Sequence, residues 1–185
     1  FVLNQFIRLA KSEGKHVSVT ATTGLAATHL GGTTIHSWAG IGISDNLPSG
    51  FAEHLGKGRK EIIEKTDVLI IDEISMLHDY RLDMVDEACR LVRRKDEPFG
   101  GIQVIMSGDF FQLPPVSNNN EGVQFAFESP VWEWAKPVVC YLSEQHRQDD
   151  VNFLSILSAI RSRSKIDEIF RELSVRKIEV KEEET

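Results

Sequence analysis

The sequence predicts an α/β fold in which helices cover both faces of a mainly parallel β-sheet. Residues 68–71 form a continuous apolar, mostly β-branched run, which is typical of a strand buried on both faces. Segments with helical periodicity alternate with such runs, and this alternation indicates parallel strands joined by helices. A length of 185 residues suits one domain of this class with a sizeable core.

The individual elements follow from periodicity and from the residues that begin or end them. Strands are predicted at residues 17–22, 68–72, 102–107 and 138–142. Helices are predicted at residues 1–13, 23–30, 79–94, 150–161 and around 166–173. Gly14 is suited to end the first helix in the left-handed conformation. A further helical turn is expected at the surface at 34–38, and the Gly-, Ser- and Asn-containing segment 40–58 is expected to be a long irregular loop.

Charge and cysteine content limit the class of protein. The net charge of −7 argues against a basic protein that coats DNA nonspecifically. Basic clusters occur at residues 57–60 and 90–95, where a solvated helix face is the commoner explanation. Cys89 and Cys140 fall in helix and strand patterns, so we expect both to be buried and reduced, in an intracellular compartment.

Other classes are disfavoured by what the sequence lacks. No apolar run approaches the roughly 18 residues that span a bilayer, so no membrane partner is expected. The six histidines and two cysteines show no zinc-ligand spacing. The first residue is Phe1 and the opening segment resembles a helix from the middle of a protein, so we expect further sequence upstream.

Polar residues follow three of the predicted strands at their carboxyl ends. They are Asp72-Glu73, the segment GDFFQLPPV at 108–116 and the segment SEQHRQ at 143–148. Open parallel sheets bind ligands at this edge, so the three segments are expected to converge. In phosphoryl-transfer sites an acid at this position holds magnesium, and a second polar residue activates water. An Asp-Glu pair that merely ends the strand or caps the next helix is the alternative.

Two further side chains fit such a site. The amide of Gln112 both donates and accepts, so it suits contact with a phosphate or its attacking water, although an ordinary loop hydrogen bond is the alternative. Arg147 offers a planar fork for phosphate oxygens, with a surface ion pair as its alternative.

These motifs resemble those of the petite integration frequency (PIF) helicases, which are related to RecD. Thr23-Gly24 with Ala26-Ala27, followed by GTTIHS at 32–37, is similar to motif Ia of that family. DEISM at 72–76 resembles the Walker B motif II, residues 108–116 resemble motif III, and HRQ at 146–148 resembles motif IV. The motifs occur in the family's order over residues 1–163.

The resemblance implies an ATP-dependent DNA helicase that moves five-prime to three-prime on single-stranded DNA and acts on duplex or structured DNA. It implies a RecA-like P-loop NTPase fold, a three-layer sandwich, with ATP and Mg²⁺ as cofactors. Asp72 would bind magnesium and Glu73 would activate the hydrolytic water. Gln112 would contact the γ-phosphate or its water, and Arg147 would stabilise the transition-state charge. DNA would be bound by Thr23, Gly24, His36 and Ser37. Trp38 suits base stacking or core packing equally.

The chain also departs from the family pattern. The phosphate-binding sequence GxxxxGK[ST] is absent from the 185 residues, and the family would place it directly before Phe1. We therefore expect residues 1–163 to be a partial motor domain without its P-loop strand, inactive alone, followed by a C-terminal helix and charged tail at 164–185. Two alternatives remain: a catalytically silent module that binds nucleic acid or protein, and a different P-loop nucleotide hydrolase such as an AAA-type switch.

Overall fold

A computed structural model of the protein describes residues 1–42, 44–116, 122–142, 151–164 and 166–175. The chain forms two compact units, Phe1–Val138 and Val139–Thr185. The first unit contains the sheet and most of the helices, and the second contains two helices that pack against each other. The predicted domain boundary at residue 163 stays a prediction.

Nine helices and four strands make up the described part of the chain. The helices are α1 Val2–Ser12, α2 Gly24–His29, α3 Ile35–Ala39, α4 Phe51–His54, α5 Lys57–Lys65, α6 Asp79–Arg93, α7 Pro130–Ala135, α8 Val151–Arg161 and α9 Ile166–Val175. The strands are β1 Val17–Ala21, β2 Thr33–Thr34, β3 Val68–Asp72 and β4 Gln103–Met106. Short 3-10 turns occur at Ile74–Met76, Pro98–Gly101 and Ala126–Glu128.

The sheet is parallel throughout, with the strand order β2-β1-β3-β4. The register pairs Val19 with Ile70, and Ile70 with Ile105, so β3 lies between two hydrogen-bonded neighbours. The run that predicted a doubly buried strand is therefore the central strand. The predicted α/β class with a parallel sheet is confirmed.

Apolar side chains of β3 pack in opposite directions, as alternation along a strand requires. Val68 and Ile70 join Ile7 of α1 in one hydrophobic cluster. Leu69 and Ile71 belong to the larger cluster on the other face, which contains Leu82, Val85 and Cys89 of α6. The full burial of each such side chain stabilises the fold by about 1.5–3 kcal/mol. Helices thus cover both faces of the sheet.

The predicted strand at 138–142 is wrong, because these residues form no strand. Val138 is 89% exposed and Tyr141 is 91% exposed. A strand is stable only when a neighbour accepts its hydrogen bonds, and the four-stranded sheet ends at β4 without including this segment. Cys140 is exposed for the same reason, which corrects its predicted burial, whereas Cys89 is buried as predicted.

The segment after β2 is more ordered than the sequence suggested. The turn predicted at the surface is α3, which buries Ile35 and Trp38 in the core. The predicted irregular loop contains α4 and the beginning of α5. Arg81 of α6 holds the part between α3 and α4, since its Nη1 donates to the carbonyl oxygens of Gly42 at 3.0 Å and Ser44 at 2.7 Å.

Arg93, which belongs to the basic cluster at residues 90–95, stabilises the fold. Arg93 donates from Nη1 to the carbonyl oxygens of Ile63, Glu64 and Thr66 at 2.8–3.1 Å. These carbonyls lie at the carboxyl end of α5, where helices have unsatisfied acceptors and favour positive charge. Arg93 therefore joins α5 to α6, and its side chain is engaged within the fold.

None of the described helices has the length and apolar character needed to cross a membrane.

Candidate active site

The carboxyl end of β3 turns sharply at the two predicted acidic residues. Asp72 is the last residue of the strand, and both Asp72 and Glu73 are half-buried. Glu73 has the left-handed conformation, with φ 55° and ψ 42°. A residue other than glycine adopts this conformation at a cost of about 1–3 kcal/mol, so the surrounding contacts must hold it there.

Backbone contacts from β1 provide part of that support. The residue after β1, Thr22, donates from its backbone N to the Asp72 carbonyl at 3.2 Å and from Oγ1 to the Glu73 carbonyl at 3.1 Å. Met76 N also donates to the Glu73 carbonyl, at 3.0 Å. The end of β1, which leads into the predicted DNA-binding segment, is thus bonded directly to the acidic turn.

The end of β4 packs against the same turn from the other side. Ile74 N donates to the Ser107 carbonyl at 3.0 Å. A Cβ atom at Gly108 would lie 2.9 Å from Ile74 N, closer than real contacts allow, so this approach requires glycine. The segments that resemble motifs II and III therefore meet at the edge where the sequence predicted their convergence.

Gln112 lies beyond that contact, on an exposed turn. Its backbone N donates to the Asp109 carbonyl at 2.9 Å, and its Nε2 lies 3.4 Å from Asp109 Oδ2. The local hydrogen bond offered as the alternative explanation is therefore present in this structure. At 3.4 Å it is long, and an exposed amide exchanges such a bond at little cost.

A cleft of about 270 Å³ brings several predicted residues together. Its lining residues come from α2, from the turn after β3 and from the segment after β4: Thr23, Leu25, Ala26, His29, Glu73, Ser75, Met76, Gln112 and Leu113. Thr23, Glu73 and Gln112 were predicted as site residues. Ser75 and His29 were not, although Ser75 belongs to the same DEISM segment and its position two residues after Glu73 was the available signal.

A larger groove of about 570 Å³ contains none of the predicted site residues. It lies along α5 and the carboxyl end of α6, with Lys60, Glu64 and Arg94 among its lining residues. Size alone therefore does not identify the site. The smaller cleft is favoured because Glu73, the acidic residue that directly follows β3, is among its lining residues, whereas Asp72 is not.

Of the predicted DNA-binding residues, Thr23 and Gly24 begin α2. Thr23 is the N-cap, and its Oγ1 accepts a hydrogen bond from Ala26 N at 3.3 Å. Gly24 is exposed, and the space beside its Cα is open. The hydroxyl of Thr23 thus stabilises the helix start, and of these two residues only Thr23 lines the cleft.

The other two predicted DNA-binding residues, His36 and Ser37, lie in α3 and do not line the cleft. Ser37 is exposed and His36 is half-buried. Burial lowers the pKa of His36, and the positive charge of Arg81 lowers that pKa further. Because its ordinary pKa is 6.5, His36 is neutral at pH 7 and offers a hydrogen bond or a ring face in place of a charge. Trp38 is buried, in agreement with core packing.

The last predicted site residue, Arg147, lies outside the described residues together with the rest of HRQ. The convergence of the third polar segment with the other two therefore stays a prediction.

The donor set at the acidic turn fits magnesium better than a metal held by protein ligands alone. Across the residues described, there is no group of three or more His, Cys, Asp or Glu side chains suited to hold a metal ion. Magnesium is commonly bound by one or two carboxylates while water and substrate phosphates complete its octahedron. Asp72 at the strand end is compatible with that mode.

Comparisons with known proteins agree with this geometry. A family model described as PIF1-like helicase matches residues 1–169. The ATP-dependent DNA helicase Pif1 of Psychrobacter sp. (strain PRwf-1) is 49% identical over 152 residues, which are 80% of this chain and 23% of the relative. The ATP-dependent DNA helicase RRM3 of Saccharomyces cerevisiae is 41% identical over 167 residues, 86% of this chain and 23% of the relative.

Solved structures show the same similarity. Pif1 helicase from Bacteroides in complex with ADP-AlF3 and ssDNA has a TM-score of 0.78 at 36% identity, covering 91% of this chain and 42% of that one. Pif1 helicase from Candida albicans has a TM-score of 0.76 at 40% identity, covering 84% and 36%. The chain spans less than a quarter of the length of the curated relatives named above. It belongs to the PIF1-like helicase family, as the resemblance of its motifs predicted.

Proposed function

We propose that the protein containing this chain is an ATP-dependent DNA helicase, and that residues 1–163 form part of its first motor lobe. The observation that carries the proposal is the cleft in which Glu73, Gln112 and Thr23 meet. It joins an acidic strand end, suited to nucleotide hydrolysis, to the start of α2, suited to DNA. The names of the relatives, which are ATP-dependent DNA helicases, support the same activity.

In this proposal each residue at the acidic edge has one chemical role. Asp72 would hold Mg²⁺, and the ion would supply charge neutralisation at the ATP phosphates. Glu73 accepts a proton from the attacking water, and Gln112 exchanges its weak bond to Asp109 for a contact with the γ-phosphate or that water. Arg147 stabilises the negative charge that develops on the transferred phosphoryl group.

The proposed DNA contacts are made mainly by backbone groups and neutral side chains. Gly24 and Ser37 are exposed and can contact phosphates closely, and Thr23 contributes from the start of α2. His36 contributes a neutral ring. A path of this kind suits single-stranded DNA bound without sequence preference, and by resemblance to the family we propose movement from five-prime to three-prime, with duplex or structured DNA as the substrate.

We also propose a reducing intracellular compartment for the protein. Its two cysteines are free, and Cys140 is exposed. An exposed free thiol is stable where cellular reductants keep cysteines reduced.

The activity of the full product of the gene tests the function. We expect ATP hydrolysis that single-stranded DNA stimulates, and unwinding of a duplex with a five-prime overhang in preference to one with a three-prime overhang. ATP hydrolysis that DNA does not stimulate would favour a different nucleotide hydrolase. DNA binding without ATP hydrolysis would favour the catalytically silent binding module. Unwinding from the three-prime overhang alone would contradict the proposed direction.

The isolated 185-residue chain is expected to bind ATP poorly and to hydrolyse none. It contains no GxxxxGK[ST] sequence, and the backbone amides of that loop supply most contacts to the ATP phosphates in P-loop enzymes. Titration with a fluorescent ATP analogue and a phosphate-release assay with single-stranded DNA measure both properties. DNA-stimulated turnover by this chain alone would contradict the expectation.

A further inference from the structure

Arg59 of α5 is a half-buried arginine whose charge the fold does not pair. Among the described residues, four arginine side chains are buried or half-buried. Three of them, Arg81, Arg90 and Arg93, donate to carbonyl or carboxylate oxygens within the fold. The side chain of Arg59 has neither a hydrogen bond nor an ion pair with any described residue. Its guanidinium therefore keeps all of its N–H donors for solvent or for a ligand.

The side chain of Arg59 lies against Gly40, the residue that ends α3. A Cβ atom at Gly40 would lie 2.8 Å from Arg59 Cδ and 3.4 Å from Arg59 Nη1, so the two residues are in direct contact. Gly40 N donates to the His36 carbonyl at 3.0 Å, which places Gly40 one helical turn after His36 and Ser37. The guanidinium therefore lies beside the helix that contains two of the proposed DNA contacts.

The direction of α5 places Arg59 at the carboxyl edge of the sheet. Helix α5 leads into β3, so in a parallel sheet it runs back from the carboxyl edge to the amino edge. The residue after α5 agrees with this direction, because Thr66 Oγ1 lies 2.7 Å from Ser18 Oγ near the start of β1. Arg59 lies near the beginning of α5, and Lys65 is its last residue. Arg59 is thus at the edge that carries Thr23 and the acidic turn, whereas Lys65 is at the opposite edge.

The proposed DNA contacts of α2 and α3 contain no positive charge. Thr23, Gly24 and Ser37 are uncharged, and burial lowers the pKa of His36, so its ring is neutral at pH 7. Proteins that bind single-stranded DNA without sequence preference place cations along its phosphates. The planar fork of an arginine matches phosphate oxygens. An arginine without an acidic partner breaks no ion pair when it binds a phosphate, so Arg59 suits this role.

We propose that Arg59 binds a phosphate of single-stranded DNA beside the carboxyl end of α3, and so extends the DNA path from α2 and α3 to α5. The inference rests on the proposed function, since it adds a contact to the same DNA strand. A phosphate contact carries no sequence information, as movement along any strand requires. The aliphatic stem of Arg59 rests on Gly40, so the side chain loses little conformational freedom when its guanidinium binds.

Replacement of Arg59 by Met in the full gene product tests this contact, with Lys65→Met as the matched control on the same helix. The measurement is the fluorescence anisotropy of a labelled oligothymidylate at several NaCl concentrations. We expect Arg59→Met to weaken binding about 3- to 10-fold at low salt, and to reduce the slope of log Kd against log[NaCl] by about 0.7, the value for one phosphate of a single strand. Lys65→Met should keep the affinity and the slope of the wild type, because Lys65 lies at the opposite edge of the sheet.

A second variant separates charge from packing. Arg59→Lys keeps the cation, so its slope should equal that of the wild type. Met keeps an apolar stem on Gly40, so the Tm of Arg59→Met without DNA should also equal that of the wild type. A wild-type slope in Arg59→Met would overturn the role of Arg59 while the proposed function stands, and an accompanying fall in Tm would assign the guanidinium to an ion pair within the gene product. A wild-type gene product that binds no single-stranded DNA would overturn both.

Discussion

Replacement of Glu73 by Gln is expected to reduce ATP turnover by the full gene product about 10²- to 10⁴-fold while nucleotide affinity stays nearly constant. The amide keeps the size of the side chain and its hydrogen-bonding capacity, so the left-handed turn and its bonds to Thr22 and Met76 are preserved. What is lost is a group that can accept a proton from water. The expected signature is therefore a fall in kcat alone.

Two assays measure this signature: single-turnover phosphate release with single-stranded DNA present, and equilibrium binding of a fluorescent nucleotide. Glu61→Gln is the control, because Glu61 is exposed on α5 and lies outside the cleft. Its turnover should equal that of the wild type. Undiminished turnover in Glu73→Gln would remove Glu73 from the mechanism, and an equal loss of affinity would assign it to nucleotide binding.

The central strand and its acidic end were predictable because the signal is local. The apolar run at residues 68–71 is enough to predict a buried strand. Two carboxylates that directly follow such a run must lie at the strand's carboxyl end. The left-handed conformation of Glu73 was not predictable in this way. It is maintained by Thr22, which is distant in sequence and becomes a neighbour only when β1 pairs with β3.

Non-local contacts also explain the errors. Residues 138–142 have the composition of a strand, but composition does not show whether a neighbouring strand is present, and here the segment is exposed. Helix α5 was missed because Ile62 and Ile63 are its only large apolar residues, too few for a helical pattern. Arg93 of α6 stabilises the carboxyl end of α5, and this contact is invisible before the fold is known. The burial of Ser75 is likewise a feature that could not be predicted before the fold is known.

The second large effect is expected at Asp86, a carboxylate of α6 with 0% exposure. Asp86 Oδ2 accepts from Arg90 Nε at 2.7 Å, and Oδ1 accepts from Phe99 N at 2.6 Å. The hydrogen bond to Asp86 is the first cause of the raised pKa of Arg90. Asp86→Ala removes both bonds and leaves Phe99 N buried without an acceptor, so the free energy of unfolding should fall by about 3–5 kcal/mol.

Urea unfolding of the 185-residue chain, followed by tryptophan fluorescence, measures this loss. Asp96→Ala is the control, because Asp96 also contacts Arg90, at 3.4 Å, but is 92% exposed. Asp96→Ala should lower the free energy of unfolding by less than about 1 kcal/mol, the usual limit for surface ion pairs. Asp86→Asn should fall between the two, since an amide oxygen can still accept from Phe99 N. Equal losses in Asp86→Ala and Asp96→Ala would contradict the assigned role of the buried carboxylate.

The consequences of Asp86→Ala should extend to the cleft. Phe99 has φ 52°, a left-handed conformation that a bulky residue adopts only when its surroundings hold it, and its bond to Asp86 is one such support. This turn leads directly into β4, whose end positions Gly108 against Ile74. Loosening the turn therefore loosens the contact between the segments after β3 and β4. In the full gene product we expect Asp86→Ala to lower kcat as well as stability, whereas Asp96→Ala should leave kcat unchanged and lower stability by less than about 1 kcal/mol.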